Sequence, residues 1–299
     1  MAGLMGSNVN LSIFLADPAK FAVDKLREHA FVPELDADVV RFGWVGLGDM
    51  LDYTAFELAT PLGGFAAFSF RYDARKPSAA VLKLKLAEAI VAEEAKKGGH
   101  LSKARKKELR EEITAALTKK ADFVPTLTDC LWDLEHGVLF LASSSIKVLE
   151  NICEFMQTTF DVTPERLTPK TDMAQVLMQI HQSTDLHVAG YAVNSMGSAS
   201  LVTNEQAEAK SQVTVQNDVN AVAAALQEGL VPNKLHLQAI LDEDTDVQLD
   251  FVLGTDLSVS KLKLPKPEKD ASQDAVLLVN ADLCAKVAAF VQALSQGLA

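Results

Sequence analysis

The 299-residue chain lacks the features that mark several classes of protein. Its three cysteines, Cys130, Cys153 and Cys284, are odd in number and far apart, so the sequence predicts neither a disulfide framework nor a CxxC metal knuckle. Aromatic residues make up only 6% of the chain, which disfavours a base-stacking platform for single-stranded nucleic acid. No apolar run is long enough to span a bilayer, and residues 1–15 lack the basic region of a secretory signal. These absences favour a reduced, cytoplasmic protein with no membrane partner.

Common catalytic motifs are also missing. No serine lies in a GxSxG elbow, and no Walker loop or GxGxxG follows a strand. Five carboxylates are crowded into one segment: Asp242, Glu243, Asp244, Asp246 and Asp250. An EF-hand loop there would need Gly and Glu where Val247 and Leu253 stand. A two-metal nuclease needs carboxylates from several elements, so we expect a solvated turn. The sequence predicts no catalytic residue, no metal site and no cofactor.

Positive charge is concentrated in about one sixth of the chain. Residues 71–120 hold 14 of the 28 Lys and Arg residues and 7 Asp or Glu, a local surplus of seven bases in a chain of net charge −12. A basic cluster in an acidic protein indicates a local surface for anions. A nucleic-acid backbone, an anionic membrane and an acidic partner all fit this pattern, as does a solvated face that serves solubility.

The basic stretch is predicted to form a helical hairpin. A helix begins at Pro77 and ends at Gly98-Gly99, and Ser102 can cap a second helix, Lys103–Lys120. Basic residues at a helix N-terminus oppose the helix dipole, so their crowding there suggests another use. Four of them, Lys103, Lys106, Lys107 and Arg110, share one face. The predicted DNA-binding residues of the hairpin are Lys96, Lys97, Lys103, Lys106, Lys107, Arg110, Lys119 and Lys120.

The remaining sequence alternates clusters of strands with single helices. A strand hairpin is predicted from Tyr53–Leu58 and Phe65–Tyr72, and a final helix, Leu283–Leu294, is predicted to be capped by Asn280 or Asp282. Few βαβ units are present, which favours an α+β fold of antiparallel sheets with amphipathic helices and a protruding helical hairpin. The predicted regions are an N-terminal sheet region (1–74), the basic helical hairpin (75–122), a hairpin-plus-helix region (123–170) and a C-terminal α+β region (171–299).

Several short motifs follow one another along the chain in a defined order. They are Phe31-Val32-Pro33, Phe42-Gly43-Trp44-Val45, the run Lys106–Ile113, Leu131-Trp132-Asp133 and Gly137-Val138-Leu139-Phe140, followed by weaker matches from Glu228-Gly229 through Leu235-His236-Leu237 to the final helix. In order and spacing they resemble the RdgC family of bacterial recombination-associated proteins. The resemblance covers most of the chain, and the segment 170–215 departs most.

This resemblance implies a fold and a function. Proteins of the family form a ring-shaped homodimer, acidic outside and basic inside, which encircles duplex DNA without sequence preference. They restrain strand exchange promoted by RecA, which implies an indirect link to a RecA-type recombinase and a place on the nucleoid. The family carries basic and amide residues ahead of the helix that here ends at Gly229, and Lys210 and Gln212 are the local counterparts. An aromatic residue after the second hairpin helix contributes to a ring contact in the family, and Phe123 is its nearest counterpart.

Three functions are therefore distinguished. The first, which we expect, is a non-catalytic protein that encircles duplex DNA as a homodimer. The family has also been labelled as exonucleases, so the second is a metal-dependent exonuclease. The third is an acidic scaffold that binds another protein through the basic hairpin.

Overall fold

The computed structural model describes residues 3–33, 40–203 and 212–298. The strands are β1 (Asn8–Leu15), β2 (Val40–Gly46), β3 (Phe65–Arg75), β4 (Phe123–Asp133), β5 (Val138–Leu141), β6 (Glu165–Arg166), β7 (Leu186–Val188), β8 (Tyr191–Thr203), β9 (Gln212–Val215), β10 (Leu230–Leu241), β11 (Gln248–Gly254) and β12 (Val259–Lys263). The helices are α1 (Val23–Glu28), α2 (Ala79–Lys97), α3 (Lys103–Thr118), α4 (Ile146–Phe160), α5 (Met173–Gln182), α6 (Val219–Gln227) and α7 (Gln273–Ser295). Within these ranges no helix is both long and apolar enough to cross a bilayer.

The strands form one antiparallel sheet in the order β2-β3-β4-β5-β1-β12-β11-β10-β8-β7, with β6 on β1 and β9 on β8. Strand β1 belongs to both halves of this sheet. Its second part, Ser12–Leu15, pairs with β5, its first part pairs with β12, and the register shifts between Val9 and Leu11. We call β2–β6 with the second part of β1 the N-terminal half-sheet, and β7–β12 with the first part the C-terminal half-sheet.

Two hydrophobic clusters cover the sheet. One packs α4 against the N-terminal half-sheet and is rich in aromatic rings, including Trp44, Trp132 and Phe160. The other packs α5, α6 and α7 against the C-terminal half-sheet and reaches Leu131 and Phe140. Leu131 and Trp132 are consecutive in β4 and so face opposite sides of the sheet. A large antiparallel sheet with seven helices in the described ranges confirms the mixed α and β architecture, whereas the ring-shaped dimer and the four-region division stay predictions.

Helices α2 and α3 are inserted between two neighbouring strands. Strands β3 and β4 pair along all 11 residues of each, with Arg75 opposite Phe123 at the end of the ladder. The chain therefore leaves the sheet after Arg75 and returns to an adjacent position at Phe123. We call α2 and α3, together with residues 98–102 between them, the helix pair.

The sequence prediction is wrong for the segment before β3. Tyr53–Leu58 does not form a strand, and β3 pairs with β2 and β4 instead. The side chain of Asp52 accepts hydrogen bonds from the backbone N–H groups of Ala55 at 2.8 Å and Phe56 at 3.1 Å, and a turn of 3₁₀ helix follows at Glu57–Ala59. A short acidic side chain that binds nearby backbone groups competes with strand formation.

The predicted start of the final helix is also wrong. Helix α7 begins at Gln273, and Ser272 is its cap, because the Ser272 Oγ accepts a hydrogen bond from the N–H of Ala275 at 3.2 Å. Asn280 is buried inside the helix, where its Nδ2 donates to the carbonyl oxygen of Leu4 at 2.7 Å. Asparagine is a common helix cap, but here its amide meets a partner 276 residues away.

Replacement of Thr159 by valine tests the hydrogen bond within the aromatic cluster. Trp44 is fully buried, and its Nε1 donates to the Thr159 Oγ1 at 2.8 Å. Valine nearly preserves the volume but leaves the indole N–H unpaired, so we expect the free energy of unfolding in urea to fall by about 1–3 kcal/mol. Thr158→Val, at the exposed neighbouring position, is the control and should change it by less than about 0.5 kcal/mol. Equal stability of the two variants would contradict this account.

Candidate nucleic-acid interface

The connection between α2 and α3 is bounded by the two signals predicted from sequence. Gly98 follows α2 with φ 65°, the left-handed conformation in which many helices end. The Ser102 Oγ accepts a hydrogen bond from the N–H of Arg105 at 3.2 Å, which confirms Ser102 as the cap of α3. Helix α2 has no buried residue, and α3 buries only Leu109. Since apolar burial within the pair is small, polar contacts between the two helices matter for their arrangement.

Arg105 is the main polar link between the helices. Its Nε lies 2.9 Å from the Glu93 Oε1, and its Nη1 lies 3.0 Å from carboxylate oxygens of both Glu108 and Glu112. The hydrogen bonds to these carboxylates, Glu93 first, raise the pKa of Arg105, and the bond from Arg105 lowers the pKa of Glu93. The planar guanidinium carries five donors, so one arginine can serve several carboxylates. Arg105 is therefore engaged within the helix pair. This agrees with the sequence prediction, which did not include Arg105 in the phosphate-binding face of α3.

Glu94 fixes the connection between the helices. Its Oε1 accepts the N–H of Leu101 at 3.0 Å and lies 3.4 Å from the His100 Nδ1 and 3.6 Å from the Lys106 Nζ. The bond from the Leu101 backbone is the largest cause of the lowered pKa of Glu94. A carboxylate that accepts a backbone N–H is stabilised in its charged form. Glu94 thus holds the turn and balances part of the charge of Lys106.

The eight predicted DNA-binding bases of the helix pair fall into two groups. Three have a carboxylate at 3.6–3.8 Å: Lys97, Lys106 and Lys107. Five are exposed and have no carboxylate within 4.0 Å in the part of the chain that the structure describes: Lys96, Lys103, Arg110, Lys119 and Lys120. All seven carboxylates of residues 71–120 are paired with bases. The surplus charge is therefore carried by bases that can meet an external anion.

Phe123, the predicted ring contact, lies half-buried where the helix pair joins the sheet. The guanidinium carbons of Arg41 and Arg75 lie 4.4 Å and 4.2 Å from the centre of its ring, within the range of cation–π attraction. Asp73, which is 1% exposed, pairs with Arg41 at 3.2 Å and with Arg71 at 2.8 Å. These contacts hold Phe123 against its own chain, and its contact with a second copy stays a prediction.

The second predicted DNA-binding segment borders the C-terminal half-sheet. Lys210 lies outside the residues that the structure describes. Gln212 begins β9 and is exposed, and its Nε2 donates to the Ser200 Oγ on β8 at 2.9 Å. Ser200 in turn lines a concave surface on the outer face of this half-sheet. The structure therefore brings Gln212 to the rim of that surface.

The prediction missed a second group of bases on this concave surface. Lys234 and His236 lie on β10, Lys261 and Lys263 on β12, and Asp250 on β11 between them. The concavity measures about 420 Å³. The Asp250 carboxylate lies 2.6 Å from the Lys263 Nζ and 2.7 Å from the His236 Nε2. The local sequence signal for this group is the alternation of basic and apolar residues along each strand. This alternation does not show that the bases of different strands lie together until the strand register is known.

The carboxylates of the predicted acidic turn serve different neighbours. Asp242 lies 2.9 Å from the His187 Nδ1, and this hydrogen bond is the largest cause of the raised pKa of His187. Asp244 accepts the N–H of Asp246 at 3.0 Å, and Asp250 lies on the concave surface. Over residues 3–33, 40–203 and 212–298, no group of three or more His, Cys, Asp or Glu side chains could hold a metal ion.

The three thiols are poor candidates for a nucleophile. All three cysteines are free, as the sequence predicted. Burial raises the pKa of Cys284 to about 12 and that of Cys153 to about 11, and it also raises the pKa of Cys130. A thiol reacts as its thiolate, so these groups are protonated and weakly reactive at neutral pH.

Comparisons with known proteins agree with the resemblance seen in the sequence. The profile of a family described as "Putative exonuclease, RdgC" matches residues 10–296. A curated relative from Aeromonas hydrophila, named recombination-associated protein RdgC, is 23% identical over 310 aligned residues, which cover 97% of this chain and 96% of the relative. The match thus includes the helix pair and both half-sheets.

Arg105→Gln tests the link within the helix pair. Glutamine cannot replace three ion pairs, so we expect the pKa of Glu93 to rise toward its usual 4.5 and the amides of α3 to exchange faster with solvent. Because the folded-state pKa of Glu93 is lowered, its stabilisation is present above the unfolded pKa and is lost as the pH falls through the folded one. NMR titration and hydrogen exchange measure both effects. Arg110→Gln, the matched control, should change neither, and an unaltered Glu93 pKa in the Arg105 variant would refute the assignment.

Proposed function

The chain belongs to the RdgC family, and from this membership and the basic helix pair we propose that it binds duplex DNA without sequence preference. We propose further that it encircles the duplex as a homodimer on the nucleoid and modulates RecA-dependent recombination. The coarser role, an association with recombination, follows from the family itself.

One observation supports the DNA-binding proposal above the others. The helix pair carries exposed bases, among them Lys103 and Arg110, that have no carboxylate within 4.0 Å in the described part of the chain. Contacts from Lys and Arg to phosphates supply affinity without reading sequence. The chain outside residues 71–120 holds 14 bases and 33 acids, so its repulsion of a polyanion would direct DNA to the basic surfaces.

The apolar surface of the helix pair supports self-association. Val81, Leu84 and Val91 on α2 are 43%, 58% and 67% exposed. Beside them lies a groove of about 540 Å³ between the two helices, lined by small and apolar residues such as Ala92 and Ile113 and flanked by charged ones: Lys85, Glu88 and Lys120. A two-fold contact places the same patch on both copies, and a patch of exposed apolar side chains on a long helix is suited to such a contact. A ring built from two copies would close through this contact and a second one elsewhere.

The name of the family carries a second candidate function, an exonuclease, which we expect to depend on a metal ion. Incubation of the purified protein with duplex DNA and Mg²⁺ separates the candidates. Retarded migration without shortening of the DNA supports the binding proposal, and progressive shortening supports the exonuclease. Neither effect, combined with capture of a protein partner through the helix pair, would support the acidic scaffold.

The DNA-binding proposal predicts a steep dependence on salt. If about 6–10 phosphates are neutralised, the logarithm of the affinity should fall against the logarithm of salt concentration with a slope of about −5 to −9. Fluorescence anisotropy with two duplexes of unrelated sequence measures the slope and the sequence preference together. A flat response, or a strong preference for one duplex, would refute the proposal.

A charge-removing variant locates the contribution of the helix pair. Changing Lys103, Lys106, Lys107 and Arg110 together to Gln should preserve the helix, since Gln is a good helix former. We expect at least a tenfold loss of duplex affinity and a slope flatter by up to about 3.6, four contacts at about 0.9 each. A control with four exposed lysines changed to Gln removes the same charge elsewhere: Lys147, Lys170, Lys266 and Lys269. If both variants lose affinity equally, net charge and not the helix pair would explain the effect.

The homodimer proposal predicts a dimer mass by light scattering at micromolar concentration. Leu84→Glu with Val91→Glu places two charges on the exposed patch, so we expect the dimer to dissociate at least tenfold more readily without loss of the fold. The control, Leu51→Glu with Ile146→Glu, adds the same charge at apolar sites that are 76% and 66% exposed and should leave the dimer unchanged. A monomer mass for the unaltered protein would refute the homodimer.

A further inference from the structure

The outer face of the C-terminal half-sheet carries basic side chains where the inner face carries the core. Neighbours in β10 and β12 are fully buried, whereas alternate positions face outward. The buried neighbours are Leu235, Leu237, Val259 and Leu262. The outward bases that line the concave surface are Lys234, His236, Lys261 and Lys263. The described helices that cover this half-sheet pack on its inner face, so no described helix covers the concavity on the outer face.

A bulge in β12 adds one of these bases to the surface. Val259 and Leu262 are both fully buried, so Ser260 and Lys261 together occupy the space of one outward position. Lys261 has φ 55°, and its N–H donates to the Asn10 Oδ1 of β1 at 2.8 Å. A residue with a Cβ is strained in this left-handed conformation. Bulges that re-aim a side chain are frequent beside functional sites, and this one directs the side chain of Lys261 to the concavity.

The charge of the concave surface is positive in an acidic chain. Three lysines and one histidine line it together with a single carboxylate, that of Asp250. Asp250 pairs with Lys263 and His236; burial opposes its ionisation, but these hydrogen bonds outweigh burial and lower its pKa. Lys234 and Lys261 have no carboxylate within 4.0 Å among the residues described. The surface therefore holds one ion-paired group around Asp250, and two lysines, Lys234 and Lys261, that are available to a ligand.

The neutral groups around these bases suit the oxygens of a phosphate. Hydroxyls of Ser200, Thr214 and Ser260 line the same concavity, and each can donate one hydrogen bond. The hydroxyl of Ser198, which also lines it, already donates to the Asn217 Oδ1 at 3.1 Å. The volume of about 420 Å³ lies in the range of small-ligand sites. Charged donors and hydroxyls converging on one surface match a phosphate better than an apolar ligand.

We propose that this concave surface, formed around Lys234, Lys261 and Lys263, is a phosphate-binding site separate from the helix pair. Two sources can supply the group: a phosphodiester of the DNA backbone, in which case the inference rests on the proposed function, or a free phosphate monoester. The site then extends the contact with DNA to the sheet, with Gln212 at its rim.

Changing Lys234, Lys261 and Lys263 together to Gln tests the site. Gln keeps most of the side-chain length, and at position 263 it retains a donor for Asp250. We expect a duplex affinity reduced about tenfold and a salt slope flatter by up to about 2.7, three contacts at about 0.9 each. Calorimetric titration with adenosine 5′-monophosphate, with adenosine as the phosphate-free control, tests the monoester source. Circular dichroism and thermal unfolding confirm that the variant folds.

Two further variants complete the test. Lys147, Lys170 and Lys269 changed to Gln remove the same charge from exposed positions that do not line the site and should bind as the unaltered protein does. Arg at positions 234, 261 and 263 keeps the charge and should retain binding, which a purely steric effect would not predict.

The outcomes separate the two proposals. Weaker duplex binding in the Gln variant supports the site with the DNA backbone as its source, and weaker binding of adenosine 5′-monophosphate alone supports it with a monoester source. Unchanged binding of both overturns the inference while the helix pair can still bind DNA. If the unaltered protein does not bind duplex DNA, the proposed function fails, and the titration with the monophosphate alone decides the site.

Discussion

The pairing of β3 with β4 fixes where the basic helices stand. The two strands are in register over their full length, and Arg75 lies opposite Phe123 at the point where the helix pair leaves the sheet. The guanidinium of Arg75 also lies 4.2 Å from the Phe123 ring. An antiparallel ladder closes both ends of an insertion at adjacent positions. The two helices, which together bury a single residue, are therefore held at their base by the sheet. The polar contacts between them have only to fix one helix against the other.

In both basic surfaces, acidic residues form ion pairs with neighbouring bases of the same surface. On the helix pair, Glu93 receives Arg105 across the two helices, and on the half-sheet Asp250 receives Lys263 and His236. In each case one acid orders bases that would otherwise repel one another and move freely. This explains how a chain of net charge −12 can present two positive surfaces without a uniform positive field.

Local signals predicted the helix pair, and long-range contacts account for what was missed. Gly98 and Ser102 end and begin helices through their own backbone and side-chain geometry, which the sequence shows directly. Asn280 was misassigned as a cap because its partner is a distant backbone carbonyl. The basic sheet surface depends on Asn10, which holds Lys261 from 251 residues away. Charge clustering along the chain reveals a site on one helix, whereas a site assembled across strands appears only with the register.

The ion pairs also bear on how much each base would contribute to the proposed binding of DNA. A base such as Lys103 or Lys234 has no carboxylate partner among the described residues, so in the proposed complex its contact with a phosphate would release counterions of the DNA without any loss to an internal partner. Lys106, by contrast, lies 3.6 Å from Glu94, and if it moves to a phosphate that carboxylate must attract a cation from solution. The cation taken up by the carboxylate offsets part of the counterion release from the DNA. The total number of bases on a surface therefore sets the steepest slope of log affinity against log salt concentration that the surface could give. The number of bases without an internal carboxylate partner sets the slope that we expect to measure.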